Sequence, residues 1–475
     1  MNRKAVLSLA MGAVLAVTGC TMAPKYTRPA IPVPNAFPNG PAYQGTAAQG
    51  PAMADIAWQD YFVDANLRKV IALSLKNNRD LRVATLNIER SQALYRVQRS
   101  NLFPAVNGTA SYDAQRLPGT VSGSGRSVVT HAYNVGVGVS SYEIDLFGRV
   151  RSLNEQALQQ YFATEQAQRA VQISLVAEVA NDYLNLAADR ERLKIAQDTL
   201  AAQQASYDLT KSRYDMGVAT ALDLSRAQTT VESARVDIGQ YTEQIAQDVN
   251  ALELVAGSPV PPELLPAGLT SVTALKEVAP GLPSELLTRR PDVLQAENLL
   301  KGANANIGAA RAAFFPRITL TTAIGTSSNE LVGLFAGGSG AWLFMPQISV
   351  PIFNAGQNRA NLKVAEVDTS IAVAQYEKTI QVAFREVADA LARYGTVGGR
   401  LTAQQALVDA SADSYRLSSA RFSGGVDNYL SVLDAQRSLY TAQQGLVTLR
   451  LSRLANMVTL YKVLGGGAEP VKGTM

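Results

Sequence analysis

The stretch Arg213-Tyr214-Asp215-Met216-Gly217-Val218 returns 208 positions later as Arg421-Phe422-Ser423-Gly424-Gly425-Val426, and this return governs the reading of the fold. The same offset pairs Leu222 with Leu430, Ala227-Gln228 with Ala435-Gln436, and Gly257 with Gly465. Upstream the offset is 212: Arg79-Asp80-Leu81-Arg82 through Leu102-Phe103-Pro104 matches Arg290-Pro291-Asp292-Val293 through Phe314-Phe315-Pro316. Self-similarity at a fixed spacing marks a duplicated structural unit. The copies are placed at 58–257 and 284–467, with 258–283 as linker or equatorial segment and 468–475 as tail.

Each copy reads helix, strand, strand, long helix, turn, helix. The first helix is expected from about Asn66 to Asn101, broken near Asn77-Asn78 and ended by Pro104, which removes a donor and restricts its predecessor. Strands are expected at about 104–116 and 131–144, where Val106, Ala110 and Tyr112, then Tyr133, Val135, Val137 and Val139, alternate with polar or small residues. The second copy repeats this at about 316–327 and 341–353, with Ile318, Leu320, Ile324, Trp342, Phe344 and Ile348 on one face. Long helices follow at about 150–216 and 356–423, each ~100 Å at the α-helical rise. Val179, Leu186, Leu193, Leu200, Tyr207 and Tyr214 step by seven, as do Val373, Ile380, Val387, Tyr394, Leu401, Val408, Tyr415 and Phe422. A strict seven-residue repeat implies coiled-coil packing. Gly217 and Gly425 supply the left-handed residue that turns the chain into each returning helix.

Composition limits the chemistry. Charged residues are 17 % of the 475, below the roughly 25 % of a soluble domain. The net charge of +4 falls to +2 once Arg3 and Lys4 leave with the leader, and no basic stripe for nucleic acid is present. One cysteine, Cys20, and one histidine, His131, exclude an intrachain disulfide and a Cys/His zinc site. No HExxH, GxSxG, P-loop or dinucleotide glycine pattern occurs, so neither an enzyme nor a cofactor is expected.

The N-terminus reads as an export signal at 1–19: Arg3 and Lys4, then an apolar run over Ala5–Val17, then Val17-Thr18-Gly19-Cys20. This resembles a lipobox, which implies lipidation of Cys20 and, with Thr21 next, delivery to the outer membrane. Two or three acyl chains give stable anchoring where one is marginal. Residues 20–57, rich in Pro, Gly and Ala, read as an extended strap.

Four strands of this length can cross a bilayer but cannot close a barrel, the smallest having eight, and open edges are not tolerated in lipid. Several chains must share one barrel. At this point the chain resembles the TolC/OprM family of outer-membrane efflux factors, in its lipid-anchored branch serving tripartite drug pumps. The resemblance rests on Tyr142-Glu143-Ile144-Asp145-Leu146-Phe147-Gly148-Arg149-Val150-Arg151, on Val350-Pro351-Ile352-Phe353-Asn354-Ala355-Gly356, on Asn304, Ile307, Gly308, Ala309 and Ala310, and on the two Arg-aromatic-x-x-Gly-Val tips. It implies a mainly helical homotrimer with a twelve-stranded transmembrane barrel continuous with a coiled-coil helical barrel in the periplasm. The implied partners are a periplasmic adaptor and an inner-membrane RND transporter. By resemblance the tips Arg213, Gly217, Val218, Arg421, Gly425 and Val426 dock the adaptor, and Leu430, Asp434, Asp223 and Arg437 form the periplasmic gate. Ser431 departs from the TolC pattern at a position that carries an acid there. Arg149 and Arg151 are read either as contacts to lipid headgroups or as structural. A coiled-coil envelope lipoprotein, a protein-secretion channel and a carboxylate hydrolase remain the competing readings.

Overall fold

The computed structural model describes residues 21–44, 56–272 and 289–467. The leader, Cys20, the tail at 468–475 and the linker from 273 onward lie outside the described residues. The chain divides into two compact units, one of Met1–Ala30, Asn87–Glu165 and Gln295–Glu377, the other of Ile31–Leu86, Gln166–Leu294 and Lys378–Met475.

The first unit holds the sheet. Strands β1 (Val106–Leu117), β2 (Val128–Glu143), β3 (Arg317–Ser328) and β4 (Gly340–Ser349) are antiparallel in the order β1-β2-β3-β4. The two copies of the repeat therefore meet at β2 and β3. Register keeps the apolar positions in phase: Val106 opposes Val139, Val137 opposes Ile324, and Ile324 opposes Trp342. A bulge between Val139 and Tyr142, with Ser141 at φ 56°, restores the phase so that Tyr142 meets Leu320 on the same face. β2 and β3 pass so closely that a Cβ on Gly138 would lie 2.7 Å from the Ala323 Cβ.

The second unit holds most of the helical core. The first helix does break where the paired asparagines stand. Helix α1 (Trp58–Tyr61) is followed by α2 (Ala65–Asn77) and α3 (Arg79–Ser100). Asn78 sits between α2 and α3; its side chain accepts from the Leu81 amide at 2.9 Å and donates to the Val255 carbonyl at 2.9 Å. That is an N-cap tied to another helix, and it fixes the break. The long helices are α4 (Arg149–Asp215) and α7 (Gln357–Ser423), 67 residues each; the returning helices are α5 (Ala221–Ala256) and α8 (Tyr429–Val463). Between α5 and α7 in sequence lies α6 (Pro291–Ala312). Heptad residues Val179, Leu186, Leu252, Ile380 and Val387 are buried in this unit, as the seven-residue step requires. Tyr61, Phe62 and Tyr461 form an aromatic cluster in which Tyr61 and Tyr461 stack at 5.4 Å and the Tyr61 hydroxyl donates to the Met457 carbonyl at 2.7 Å.

Candidate functional site

Two surfaces and two turns carry the candidate functions. The first surface is the sheet. Its in-phase apolar face is left uncovered in a single chain, with Ile324 72 % and Trp342 79 % exposed. β1 and β4 each pair on one side only, so the sheet has two open edges. Among the described residues no helix is long and apolar enough to cross a membrane. The strands, 10 to 16 residues long with alternating faces, have the length of membrane-spanning strands.

The arginines after β2 are occupied within the chain. Arg149 makes a two-pronged bond to Glu143 at 2.8 and 2.7 Å, Arg317 joins the same carboxylate at 2.6 Å, and Arg151 pairs with Asp145 at 3.3 Å. Asp145 also accepts from the Arg151 amide at 2.9 Å, and Gly148 turns the chain at φ 76°. Of the two readings open for Arg149 and Arg151, the structural one has the contacts: they lock the passage from strand to helix.

The tips share the same cap. At Gly217 (φ 77°) the Val218 amide donates to the Arg213 carbonyl at 2.9 Å; at Gly425 (φ 74°) the Val426 amide donates to the Arg421 carbonyl at 2.9 Å. A 6→1 bond over a left-handed glycine is a Schellman cap, and the tight turn follows from it. The flanking side chains differ. Arg213 crosses to the other copy, its guanidinium 4.5 Å over the Phe422 ring. Arg421 stays local, bonding Asp427 at 2.6 and 3.0 Å and holding that carboxyl below its usual range. Phe422, Tyr429, Val432 and Ala227 form a small buried cluster here.

The second surface is a groove beside the tips, and it separates the expected gate residues into two groups. Leu430, Asp434 and Arg437 line it together with Arg226, Asp237 and Tyr440. Asp434 pairs with Arg437 at 3.0 Å, and Tyr440 donates to Asp237 at 2.9 Å. Asp223 is instead engaged in a capping box: it accepts from the Thr220 amide and hydroxyl at 3.2 and 2.6 Å while Thr220 accepts from the Asp223 amide. At the matching point of the second copy, Asn428 caps α8 by accepting from the Ser431 amide at 3.2 Å. Ser431 thus falls at the capping position that Asp223 holds in the first copy.

Sequence reasoning missed an acidic set on α4 and α5. Burial, then Glu178, then Asp248 push the Asp182 carboxyl up to about 6. Burial also raises Asp248, with Asp189 adding to it. Asp182 and Asp189 stand beside the buried Val179, Tyr183 and Leu186, and the one-dimensional pattern does not say that an acid on another helix faces them.

A four-stranded sheet with its apolar positions in phase and two open edges, in a chain whose helical hairpins end in capped tips, is the architecture of an outer-membrane channel protein. The chain belongs to the outer membrane efflux protein family, whose family model matches residues 70–258 and 282–466. It is 50 % identical over 464 residues to the toluene efflux pump outer membrane protein TtgC of Pseudomonas putida, covering 98 % of this chain and 96 % of that one. It is equally similar, at 50 % over 464 residues and the same coverage, to the antibiotic efflux pump outer membrane protein ArpC of Pseudomonas putida. Its fold superposes on the open state of the MtrE outer membrane channel of Neisseria gonorrhoeae with a TM-score of 0.85 and 39 % identity, over 96 % of this chain and 100 % of that one. The family is a transport component of the outer membrane.

Proposed function

We propose that three copies of this chain form one conduit, the outer-membrane exit duct of a tripartite efflux pump that exports toluene-like solvents and antibiotics. The observation that carries this reading is the pair of open edges at β1 and β4 beside an uncovered apolar face. Exposed backbone donors and acceptors cannot remain unpaired in hydrocarbon, so each edge needs a neighbouring copy. Three chains give twelve strands, and β4 of one copy runs antiparallel to β1 of the next, as a closed up-and-down barrel requires. Twelve helices form the matching periplasmic barrel. The family assignment and the substrates in the relatives' names support the export function.

In this reading Cys20 carries acyl chains after removal of 1–19. The tips at Arg213–Val218 and Arg421–Val426 receive a periplasmic adaptor that links the duct to an inner-membrane RND transporter. Leu430, Asp434 and Arg437 narrow the periplasmic end, with Asp223 setting the start of its helix. The duct is passive and catalyses nothing. A coiled-coil envelope lipoprotein would have no use for the apolar face. Native mass spectrometry of the detergent-extracted protein should give three chains per particle, and planar bilayers should show discrete conductance steps. A conducting monomer would overturn the shared barrel.

A further inference from the structure

We infer that α6 carries a built seat for the chain's own segment Met22–Arg28, which holds the N-terminal strap in one fixed register and leads it back to the foot of the sheet. The contacts run in strict order. The Met22 carbonyl accepts from Arg311 at 3.4 Å, the Pro24 carbonyl from Asn304 at 2.8 Å, and the Tyr26 ring faces the Lys301 ammonium at 5.5 Å. Arg28 then grips Glu297 through two nitrogens, with bonds of 3.1, 2.9 and 2.8 Å, while the Tyr26 hydroxyl donates to the same carboxylate at 3.2 Å. At Gly308 a Cβ would lie 2.7 Å from the Ala23 nitrogen and 2.6 Å from Ser152 Oγ, so only glycine leaves room for the strap.

Positions 311, 308, 304, 301 and 297 step by three and four, which places them on one face of α6. Strap and helix are commensurate. Six extended steps from Met22 to Arg28 cover roughly 20 Å, and fourteen helical steps from Glu297 to Arg311 cover roughly 21 Å. An antiparallel strap therefore meets one helix residue per turn without strain. Glu297 has a nearly buried side chain and pairs with Lys301 as well, at 3.2 Å. Burial alone would raise its carboxyl, yet Arg28 and Lys301 hold it below the usual range.

The duplication supplies an internal control. At the upstream offset, Glu297, Lys301, Asn304 and Gly308 correspond to Thr85, Glu89, Gln92 and Arg96. Thr85 has no charge for an arginine, Glu89 reverses the charge of Lys301, and Arg96 would fill the space that Gly308 leaves open. The chain has two copies of the helix but one strap, and only one copy is cut to receive it. This gives Asn304 and Gly308, part of a family motif in the sequence, a physical purpose.

The consequence concerns the lipid, and it rests on the anchor at Cys20 proposed above. Two steps of chain separate Cys20 from Met22, a reach of at most ~7 Å. Met22 is held at Arg311, close in sequence to Arg317, where β3 begins. Acyl chains on Cys20 then enter the membrane where the strands do, and the seat sets that height.

Hydrogen exchange of the full-length protein in nanodiscs tests the seat. Residues 22–28 should be protected, and Arg28→Ala and Gly308→Leu should each speed their exchange by about tenfold or more while β1–β4 are unchanged. Register is read separately from cysteine pairs: Pro24→Cys with Asn304→Cys should cross-link, and Pro24→Cys with Glu297→Cys, about 10 Å further along the helix, should not. Strap exchange at free-peptide rates in the wild type, or cross-linking of both pairs alike, overturns the seat. Intact mass distinguishes the anchor from the seat: a protected strap on an unacylated Cys20 overturns the height-setting role. Wild-type conductance reports on the channel reading independently.

Discussion

The Arg213 guanidinium lies 4.5 Å above the Phe422 ring and directs two nitrogens at the Phe422 carbonyl, 3.5 Å away. One copy of the repeat thus clasps the turn of the other, whereas Arg421, its counterpart, bonds within its own turn to Asp427. A planar cation over a ring contributes roughly 0.5–1 kcal/mol at an exposed site, and Phe422 anchors the cluster of Ala227, Tyr429 and Val432. Arg213→Ala should loosen both tips together, seen as faster hydrogen exchange across 206–219 and 415–432. Arg421→Ala should affect only its own turn. Equal and confined effects from the two variants would show that the clasp is ornamental.

Gly217→Pro and Gly425→Pro should each abolish drug export and leave the trimer assembled. Proline fixes φ near −65°, against 77° and 74° here, and it removes amides that donate to Tyr214 and Phe422 at 2.8 and 3.0 Å. No heavy atom lies within 4 Å of a Cβ built at either glycine, so crowding plays no part. Accumulation assays in cells and native mass spectrometry separate the two outcomes. Unchanged export in both variants would remove the tips from the docking surface.

Asp434→Ala combined with Leu430→Ala should raise resting conductance and weaken cation selectivity, because a threefold axis makes each aspartate a ring of like charges. Asp223→Ala should behave differently. Its carboxylate closes the capping box of α5, so the expected result is about 1 kcal/mol of lost helix stability with little change in selectivity. Thermal melts and reversal potentials in planar bilayers distinguish them. If Asp223→Ala alters selectivity as strongly as the double variant, Asp223 belongs to the constriction after all.

Asp182 should make stability depend on pH. Its folded-state carboxyl titrates at about 6 because burial, Glu178 and Asp248 disfavour its charge. The folded chain therefore holds a proton that the unfolded chain releases near ~3.9, so stability falls as pH rises between these values. Asp182→Asn removes the penalty and should raise the melting temperature by about 2–4 °C per kcal/mol recovered at pH 7.5. Near pH 3.5 the variant and the wild type should converge. A variant less stable than the wild type at pH 7.5 reverses the sign and refutes the assignment.

Periodicity makes the architecture legible where one residue type repeats on one face. Val179, Leu186, Ile380 and Val387 are buried because a seven-residue step keeps them on a seam, and the odd and even residues of β1, β3 and β4 fall on opposite faces. Asn77-Asn78 and Gly217 are readable for a related reason, since caps and left-handed turns depend on local chemistry. What stays hidden joins residues far apart in sequence. Arg28 and Glu297 are 269 positions apart, and Asp182 feels Asp248 from another helix. The bulge at Ser141 is also invisible, because it inserts a residue into an otherwise regular alternation.

The faces of the sheet give the sharpest test of the shared barrel. Ile324 is central on the apolar face, between Val137 on β2 and Trp342 on β4. Gln347 lies on the opposite face, paired with Thr319. If the apolar face meets lipid, Ile324→Lys places a charge near the bilayer midplane at about 2–4 kcal/mol per chain, three times over in a trimer. Insertion should fail, visible as loss of the trimer band in outer-membrane fractions. Gln347→Lys should insert normally and add a ring of three cations to the lumen, lowering cation selectivity. Lysine tolerated at Ile324 and rejected at Gln347 would turn the sheet inside out. Rejection at both positions would mean that the second face is packed rather than wet, and that the barrel is not a conduit at this level.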